Sequence, residues 1–300
     1  MKIGIIGGGA IGLLFAAYLC EVSDVTVFTK TPQQAEKLNE NGLVLVKNHQ
    51  SSTFHVSAKQ ISEWNPYEDL TIIAVKQYQL DGVLNLMVNA SDRNSLIFLQ
   101  NGMAHVKFME NLPAKNLFVG SVEHGAVREN AYTVRHNGAG VTNVAVYKGD
   151  ATQLSQLAAL LHDSFPFVLK EDYVEMLVNK LVVNAVVNPL TAILGIENGK
   201  LLANHFYEHT LKMLFREIAH ILELKNAEEY FNRVVLVCRQ TAENRSSMLK
   251  DLEAGRKTEV EAIVGYLLDE AIKQGKDAPL TTMLYDMVRG KEIGGKGVNN

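Results

Sequence analysis

The sequence predicts an α/β protein in which a domain of parallel strands and helices precedes an all-helical domain. Short apolar runs at residues 3–6, 70–75 and 95–99 lack alternation, which is typical of strands buried on both faces of a parallel sheet. A glycine-rich turn joins the first of these runs to an apolar helix. Helical periodicity dominates the second half of the chain to about residue 289. We predict domains at 1–168 and 169–300.

The composition is that of a globular protein, with 47% hydrophobic and 21% charged residues among 300. A net charge of −4 gives no footprint for nucleic acid, and no uninterrupted apolar segment of membrane-spanning length follows the N-terminal motif. The two cysteines, Cys20 and Cys238, lack the spacing of a disulfide framework or a zinc site, so we expect no metal and a cytoplasmic location.

The N-terminal turn carries the spacing Gly7-x-Gly9-x-x-Gly12 between strand and helix. The first glycine of such a turn permits the bend, the second lets a pyrophosphate approach the backbone, and the third lets the helix pack on the strand. The motif predicts a Rossmann-like dinucleotide site, with phosphates at the helix N-terminus. The predicted cofactor contacts of this loop are Gly7, Gly9, Ala10, Ile11 and Gly12. A plain glycine-rich turn and a secretory signal are the competing interpretations, and the glycines inside the apolar run argue against the signal.

Three further polar residues follow predicted strands and are expected near this cofactor. The second strand, residues 24–30, ends in Lys30 where an NAD site usually has an acidic residue, so we favour NADP(H), with Lys30 facing the 2′-phosphate. A solvated surface lysine is the alternative. Lys76 and Asn101 end the next two apolar strands, and ligands of open α/β sheets lie at these carboxyl ends. Asn101-Gly102 could also be a simple turn.

The remaining pattern predicts the following elements. Residues 32–41 form a helix, and 43–47 and 53–57 are short strands around a polar turn at 48–52. Residues 117–122 form a strand, and 131–136 with 141–147 form a hairpin closed by 137–140. A helix runs from Ala151 to His162, a last strand covers 167–169, and residues 294–300 form a flexible tail.

Polar residues recur every fourth position within an apolar helix at Lys180, Asn184 and Asn188. This spacing places them on one face, where each unpaired group would cost about 1–3 kcal/mol if buried. The simplest explanation of this polar face is that it lines a solvent-filled cleft. A buried polar network and a face towards bulk water are the alternatives. A partly desolvated Lys180 suits reduction of a ketone, because its ammonium both stabilises charge on the carbonyl oxygen and donates a proton.

A second polar cluster lies between residues 244 and 265. Ser247 and Asp251 are one helical turn apart, Gly255 is suited to end that helix, and Thr258 is suited to cap the next one. That helix is predicted to begin with Glu259. An acidic residue in a first turn also complements the helix dipole, so position alone leaves the role of Glu259 open.

With these motifs the chain resembles the ketopantoate reductase (2-dehydropantoate 2-reductase) family, of the 6-phosphogluconate dehydrogenase-like two-domain class. The resemblance spans nearly the whole chain, and its most specific parts are the Lys180/Asn184/Asn188 helix and the cluster ending in Glu259. It implies NADPH-dependent reduction of 2-dehydropantoate to pantoate in a cleft between the two domains, on the way to pantothenate and coenzyme A. Reduction of another 2-keto acid or an imine is the nearest alternative, and a non-catalytic dinucleotide sensor is a more distant one.

The resemblance also implies roles for single residues. Lys180 is the expected proton donor, and Glu259 is expected to bind substrate and organise that lysine. Asn184, Asn188 and Ser247 are expected to hold the substrate's carboxylate and hydroxyl. Asn101 is expected between substrate and cofactor, with Lys30 and Lys76 as cofactor contacts. The expected partners are a small 2-keto acid and, in a homodimer, a second copy of the chain.

Overall fold

A computed structural model of the chain describes residues 1–87, 94–161 and 165–294. Its contacts separate two compact units. The first unit comprises Met1–Gln100 and His105–Leu177, and the second comprises Asn101–Ala104 and the chain from Val178 onward. The domain boundary after residue 168 remains a prediction. The predicted helix end at His162 and the tail after Gly294 lie outside the described residues.

Strands are confined to the first unit in the described part of the chain. In chain order they are β1 Lys2–Ile6, β2 Asp24–Thr29, β3 Leu43–Lys47, β4 Gln50–Phe54, β5 Ser57–Gln60, β6 Leu70–Ile73, β7 Ser95–Phe98, β8 Asn116–Val122, β9 Gly125–Arg128, β10 Thr133–Gly138, β11 Thr142–Lys148 and β12 Phe167–Lys170. The main sheet has the order β12-β11-β8-β7-β6-β1-β2-β5, and all its neighbours are parallel except β8 and β11. A smaller sheet has the order β4-β3-β10-β9.

The described helices occupy both units. They are α1 Ala10–Leu19, α2 Pro32–Asn41, α3 Leu80–Met87, α4 Val106–Met109, α5 Thr152–Leu160, α6 Tyr173–Leu194, α7 Lys200–Ala203, α8 His205–Ile221, α9 Ala227–Gln240, α10 Ser247–Glu253, α11 Tyr266–Gln274 and α12 Pro279–Gly294. A π-helical turn, Glu261–Gly265, precedes α11. The predicted fold class, with a mostly parallel sheet followed by helices, is therefore confirmed.

The predicted central strands are buried on both faces of the main sheet, which explains why their residues are apolar. Ile3, Ile5 and Ile6 of β1 are fully buried, and all residues of β6 and β7 are buried as well. Both β6 and β7 end earlier than predicted, at Ile73 and Phe98. The side chain of Gln100 explains part of this, because its Nε2 donates to the Val75 carbonyl oxygen (2.9 Å) and shares the Ile73 carbonyl oxygen (3.0 Å) with Leu99 N (3.1 Å).

The predicted hairpin of residues 131–136 and 141–147 is wrong. β10 lies in the small sheet between β3 and β9, whereas β11 pairs with β8 and β12 in the main sheet. Gly140 in the intervening segment serves a close backbone approach, because a Cβ there would lie 2.5 Å from the carbonyl oxygen of Glu123. Alternation identifies a strand but does not identify its partner, and β9 was not predicted at all.

The predicted polar turn at residues 48–52 is also too long. Asn48 and His49 alone make the turn, with φ of 50° and 62°, and Lys47 pairs directly with Gln50 across it. Two residues of positive φ match the twist of a tight hairpin. β4 is mostly exposed and polar, so its sequence resembles a loop. Ser57 begins a separate strand, β5, which joins the main sheet beside β2.

The second unit is built around α6. Leu181, Val182 and Val186 on this helix are fully buried and pack in a core that includes Leu214 and Leu267. By length and composition α6 could cross a membrane, with a mean hydropathy of 1.5, but 61% of the window concerned is buried within the protein. Its apolar surface is therefore accounted for by the core of this unit.

Two buried histidines of the first unit couple its stability to pH. Burial lowers the pKa of His105 to about 4, and its ring nitrogens have no hydrogen-bond partner among the described residues. Burial, with the nearby His136 and Lys47, lowers the pKa of His124 to about 4, and the Gly140 N–H donates to its Nδ1 (3.1 Å). Both rings are therefore neutral in the folded protein at neutral pH.

We expect the free energy of unfolding to fall as the pH is lowered from about 6.5 to about 4. In that range the unfolded chain binds protons on these histidines and the folded chain does not, so each contributes a slope of roughly 1.4 kcal/mol per pH unit. Urea titrations at several pH values measure the slope. His105→Leu should flatten it, and the same change at the exposed His209 should not. An unchanged slope in the His105 variant would contradict the prediction.

Candidate active site

The glycine-rich turn between β1 and α1 has the close packing that its spacing predicts. Gly7 has φ of +118°, and a Cβ on Gly12 would lie 1.8 Å from the Gly7 carbonyl oxygen, so only glycine fits at Gly12. A Cβ on Gly9 would meet no atom of the described residues within 4 Å. Gly9 is thus not required by packing within the described protein, and its bare backbone leaves a cradle beside the start of α1.

The N-terminus of α1 is suited to an anion. Gly9 is its N-cap, no described side chain caps it, and its first turn holds no acidic residue. The N–H groups of Ala10, Ile11 and Gly12 lie in this first turn, where helices carry unpaired donors and the positive end of the dipole. The cradle at Gly9 and these donors fit a phosphate group.

Two side chains that the sequence analysis did not single out hold the middle of this turn. Gln34 Nε2 donates to the carbonyl oxygens of Gly8 (2.8 Å) and Ala131 (2.9 Å), and Arg128 Nη1 donates to the Gly8 carbonyl (3.1 Å). Arg128 is exposed and brings a positive charge to the loop. No local pattern could have indicated them, since they lie 26 and 120 residues from Gly8.

Lys30 and Lys76 follow strands that run parallel to β1 on either side of it. Ile6 pairs with Phe28 of β2 and with Ile73 of β6, so both lysines come just beyond the edge at which β1 ends. Lys30 is exposed, and Lys76 is half-buried. Next to Lys30, the Thr29 hydroxyl donates to the Thr31 carbonyl (2.8 Å), which fixes the exit from the strand.

The polar face of α6 belongs to the second unit. Lys180 and Asn184 are half-buried and Asn188 is buried, and the four-residue spacing aligns all three along one side of a continuous helix. Residues between them, such as Leu181 and Val186, are fully buried. A helix with this profile holds its polar groups in a restricted environment, not on a broad face towards bulk water.

Two of the candidate residues, Asn101 and Glu259, are joined by a direct hydrogen bond. Asn101 Nδ2 donates to Glu259 Oε2 (2.8 Å), and Glu259 is buried. Gly102 has φ of +81°, and a Cβ there would lie 2.1 Å from the carbonyl oxygen of Ala262. The glycine is thus both a turn residue and a close contact. Asn101 and Gly102 belong by their contacts to the second unit.

Ser247 is exposed and is the first residue of α10. The preceding Ser246 is the N-cap, whose Oγ accepts from Leu249 N (3.2 Å). The hydroxyl oxygens of Ser246 and Thr191 lie 2.8 Å apart and share a hydrogen bond, which ties the start of α10 to α6 three residues after Asn188. As predicted, Gly255 follows α10 with φ of +62°.

The helix expected to begin at Glu259 starts differently. Thr258 Oγ1 accepts from Val260 N (3.1 Å), so Thr258 caps as predicted, but Glu259 itself precedes the first helical residue, Val260. The turn that follows, Glu261–Gly265, is π-helical. Such turns are rare and occur often at functional sites.

Asn198 was not singled out from the sequence. It is buried, its Nδ2 donates to Thr241 Oγ1 (2.8 Å), and its Oδ1 has no partner among the described residues. Its N–H donates to the carbonyl of Asn244 (2.9 Å), close in sequence to Ser246. Asn-Gly at 198–199 resembles an ordinary turn in sequence, so no local pattern indicates that this amide oxygen is buried and without a partner among the described residues.

The candidate residues thus form two sets, one in each unit. The glycine loop, Lys30 and Lys76 belong to the first unit. The second unit holds Asn101, Lys180, Asn184, Asn188, Ser247 and Glu259. In the described part of the chain, no group of three or more His, Cys, Asp or Glu residues is arranged to hold a metal ion.

Known proteins match the chain over nearly its whole length. The family model "Ketopantoate reductase PanE/ApbA" matches residues 3–149, and its C-terminal counterpart matches residues 172–292. The 2-dehydropantoate 2-reductase of Bacillus subtilis is 41% identical over 294 residues, spanning 97% of this chain and 98% of the relative.

Solved structures give the same result. The crystal structure of the probable 2-dehydropantoate 2-reductase of Bacillus subtilis covers 97% of this chain and 100% of its own, with 40% identity and a TM-score of 0.90. A D-mandelate dehydrogenase, solved with NADH and anilino(oxo)acetate, is 22% identical with a TM-score of 0.90 over 99% of both chains, and therefore shares the fold. The glycine turn, the polar helix and the Glu259 cluster thus occur in a chain that belongs to the ketopantoate reductase family.

Proposed function

We propose that this protein reduces 2-dehydropantoate to pantoate with NADPH. The observation that carries the proposal is the line of Lys180, Asn184 and Asn188 along one side of an otherwise apolar, buried helix. A proton donor followed by two amides suits a substrate with a ketone, a carboxylate and a hydroxyl. The relatives that match the chain over 97% of its length are named for this reaction.

The first unit has the features that a nicotinamide dinucleotide needs. Its pyrophosphate would be held at the open cradle of Gly9 by the N–H groups of Ala10, Ile11 and Gly12. Lys30 would face the 2′-phosphate, which favours NADPH over NADH. Lys76 and Asn101 are the remaining proposed contacts. When bound, the reduced nicotinamide supplies the hydride for the carbonyl carbon.

In the second unit, we assign Lys180 the proton transfer. Its ammonium Nζ hydrogen-bonds the ketone oxygen, stabilises the negative charge that develops there, and donates the proton that completes the alcohol. Half-burial restricts competing water at this group. Asn184, Asn188 and Ser247 bind the carboxylate and hydroxyl. Asn198 is a further candidate, because its amide oxygen is buried and lacks a partner among the described residues.

Glu259 has two assigned tasks. Its carboxylate accepts from Asn101, so it fixes an amide that we place beside the cofactor. We also assign it binding of the substrate and the positioning of Lys180. Charged hydrogen bonds of this kind are stronger than neutral ones, which suits a group that must keep its position during the reaction.

The proposal extends to the setting of the enzyme. Two free cysteines, Cys20 partly buried and Cys238 buried, fit a reducing cytoplasm. The proposed partner is a small 2-keto acid. A homodimer remains a prediction, which light scattering on the purified protein would check.

Oxidation of NADPH by the purified protein tests the function. We expect kcat/KM to be far higher for 2-dehydropantoate than for other 2-keto acids, and higher with NADPH than with NADH. Preference for another keto acid would support the proposed ketone reduction and show that 2-dehydropantoate is not the substrate. Binding of NADPH without turnover of any keto acid or imine would instead favour a dinucleotide sensor.

Lys180→Ala should lower kcat by about 10²–10⁴-fold, because it removes the proton donor. The dissociation constant of NADPH, measured by fluorescence titration, should stay at the wild-type value. Lys225→Ala removes an exposed lysine of the same unit and should leave kcat unchanged. Full activity of the Lys180 variant would show that another group donates the proton.

Lys30→Asp should shift the preference from NADPH towards NADH, because a carboxylate repels the 2′-phosphate and can bind a ribose hydroxyl. The ratio of the two dissociation constants measures this effect without turnover. Lys37→Asp makes the same charge change on the exposed side of α2 and should leave the ratio unchanged. If both variants retain the wild-type ratio, the 2′-phosphate is held elsewhere.

A further inference from the structure

A buried carboxylate near the end of α12 holds the residue that precedes Glu259. Glu292 Oε1 accepts from both Thr258 N and Thr258 Oγ1, each at 2.6 Å, and Thr258 and Glu292 are 1% and 8% exposed. Arg289 Nη1 donates to the other oxygen, Oε2 (2.5 Å). A buried carboxylate is stable only with such donors, so the contact has a defined geometry.

Thr258 transmits this constraint across Glu259. Its Oγ1 donates to Glu292 and at the same time accepts from Val260 N (3.1 Å). The backbone on both sides of Glu259 is therefore hydrogen-bonded, because the Thr258 N–H donates to Glu292 and the Val260 N–H donates to the Thr258 hydroxyl oxygen. Glu259 is the residue between these two fixed positions, and its own Oε2 accepts from Asn101 Nδ2 (2.8 Å).

We propose that Glu292 is a positioning residue that acts through Thr258 to set the orientation of the Glu259 carboxylate. The inference rests on the proposed function of Glu259 and extends it to two residues outside the predicted site. Misplacing a reacting or binding group by about 1 Å can cost about 100-fold in rate, so a buried support for Glu259 has a direct kinetic value. Neither Thr258 nor Glu292 needs to touch substrate or cofactor.

The same unit contains a matched control. Glu217 Oε1 accepts from Thr281 N (2.7 Å) and Thr281 Oγ1 (2.7 Å), and Thr281 is 1% exposed. The two glutamate–threonine contacts thus have the same atoms and nearly the same distances. Thr281 lies near the start of α12 and Glu292 near its end, about 16 Å apart along the helix. Only the contact of Thr258 adjoins Glu259.

The test compares Thr258→Val with Thr281→Val, each of which removes one buried hydroxyl and keeps the side-chain shape. We expect Thr258→Val to lower kcat by about 10-fold to 100-fold. Thr258→Ser, which keeps the hydroxyl, should restore most of the activity. Thr281→Val should lower the Tm comparably and leave kcat unchanged. If the two valine variants lower kcat equally, the contact of Thr258 with Glu292 has only a structural role and the proposal is wrong.

A double-mutant cycle shows whether Thr258 acts through Glu259. In a Glu259→Gln background, Thr258→Val should have a much smaller effect on kcat/KM than it has in the wild type. Glu292→Gln, which keeps an acceptor but removes the charge, should fall between the wild type and Thr258→Val. Full additivity of the Thr258 and Glu259 changes would overturn the proposal.

A readout without turnover separates this inference from the proposed function. The side-chain amide of Asn101, assigned by its loss in Asn101→Asp, reports the hydrogen bond to Glu259 in a heteronuclear NMR spectrum. Thr258→Val should shift this resonance and Thr281→Val should not. An unmoved resonance would refute the positioning role even in an active enzyme. A shifted resonance in a protein without reductase activity would refute the proposed function alone.

Discussion

Buried carboxylates need hydrogen-bond donors, and this requirement organises the part of the second unit that carries the candidate chemistry. Glu259 accepts a hydrogen bond from the Asn101 amide, and Glu292 accepts hydrogen bonds from the N–H and hydroxyl of Thr258. Each donor comes from a segment distant in sequence, so satisfying the two charges joins the Asn101 segment, the turn before the π-helix and the end of α12. Gly102 permits this arrangement, since any side chain there would collide with Ala262.

Steric exclusion plays the corresponding part in the first unit. The contact between Gly12 and Gly7 brings α1 against β1, whereas no atom of the described residues lies within 4 Å of the position that a Cβ on Gly9 would take. Gln34 and Arg128 then fix the Gly8 carbonyl, so the loop is held by hydrogen bonds on one side and remains open at Gly9. A turn that is already rigid and open to a ligand can bind a phosphate without the entropic cost of ordering the loop.

The α6 helix shows how one element serves both stability and chemistry. Its apolar positions supply the core of the second unit, and its polar positions form the face that includes Lys180. The helix continues through Pro189, and shortly afterwards Thr191 hydrogen-bonds Ser246, the cap of α10. The core therefore sets where the polar face lies relative to the start of α10. Packing of this kind positions a site more firmly than a loop does.

Local patterns in the sequence were sufficient for the glycine turn, the helix at Pro32–Asn41, most of the buried strands and the polar face of α6. Each depends on spacings of a few residues, which follow directly from helix and strand periodicity. Strand pairing was decided only by the tertiary structure, as the separate sheets of β10 and β11 show. The hydrogen bonds of Arg128 to Gly8 and of Thr258 to Glu292 were likewise decided only by the tertiary structure. Their donors and acceptors lie 120 and 34 residues apart, so folding brings them together and the sequence carries no periodic signal for them.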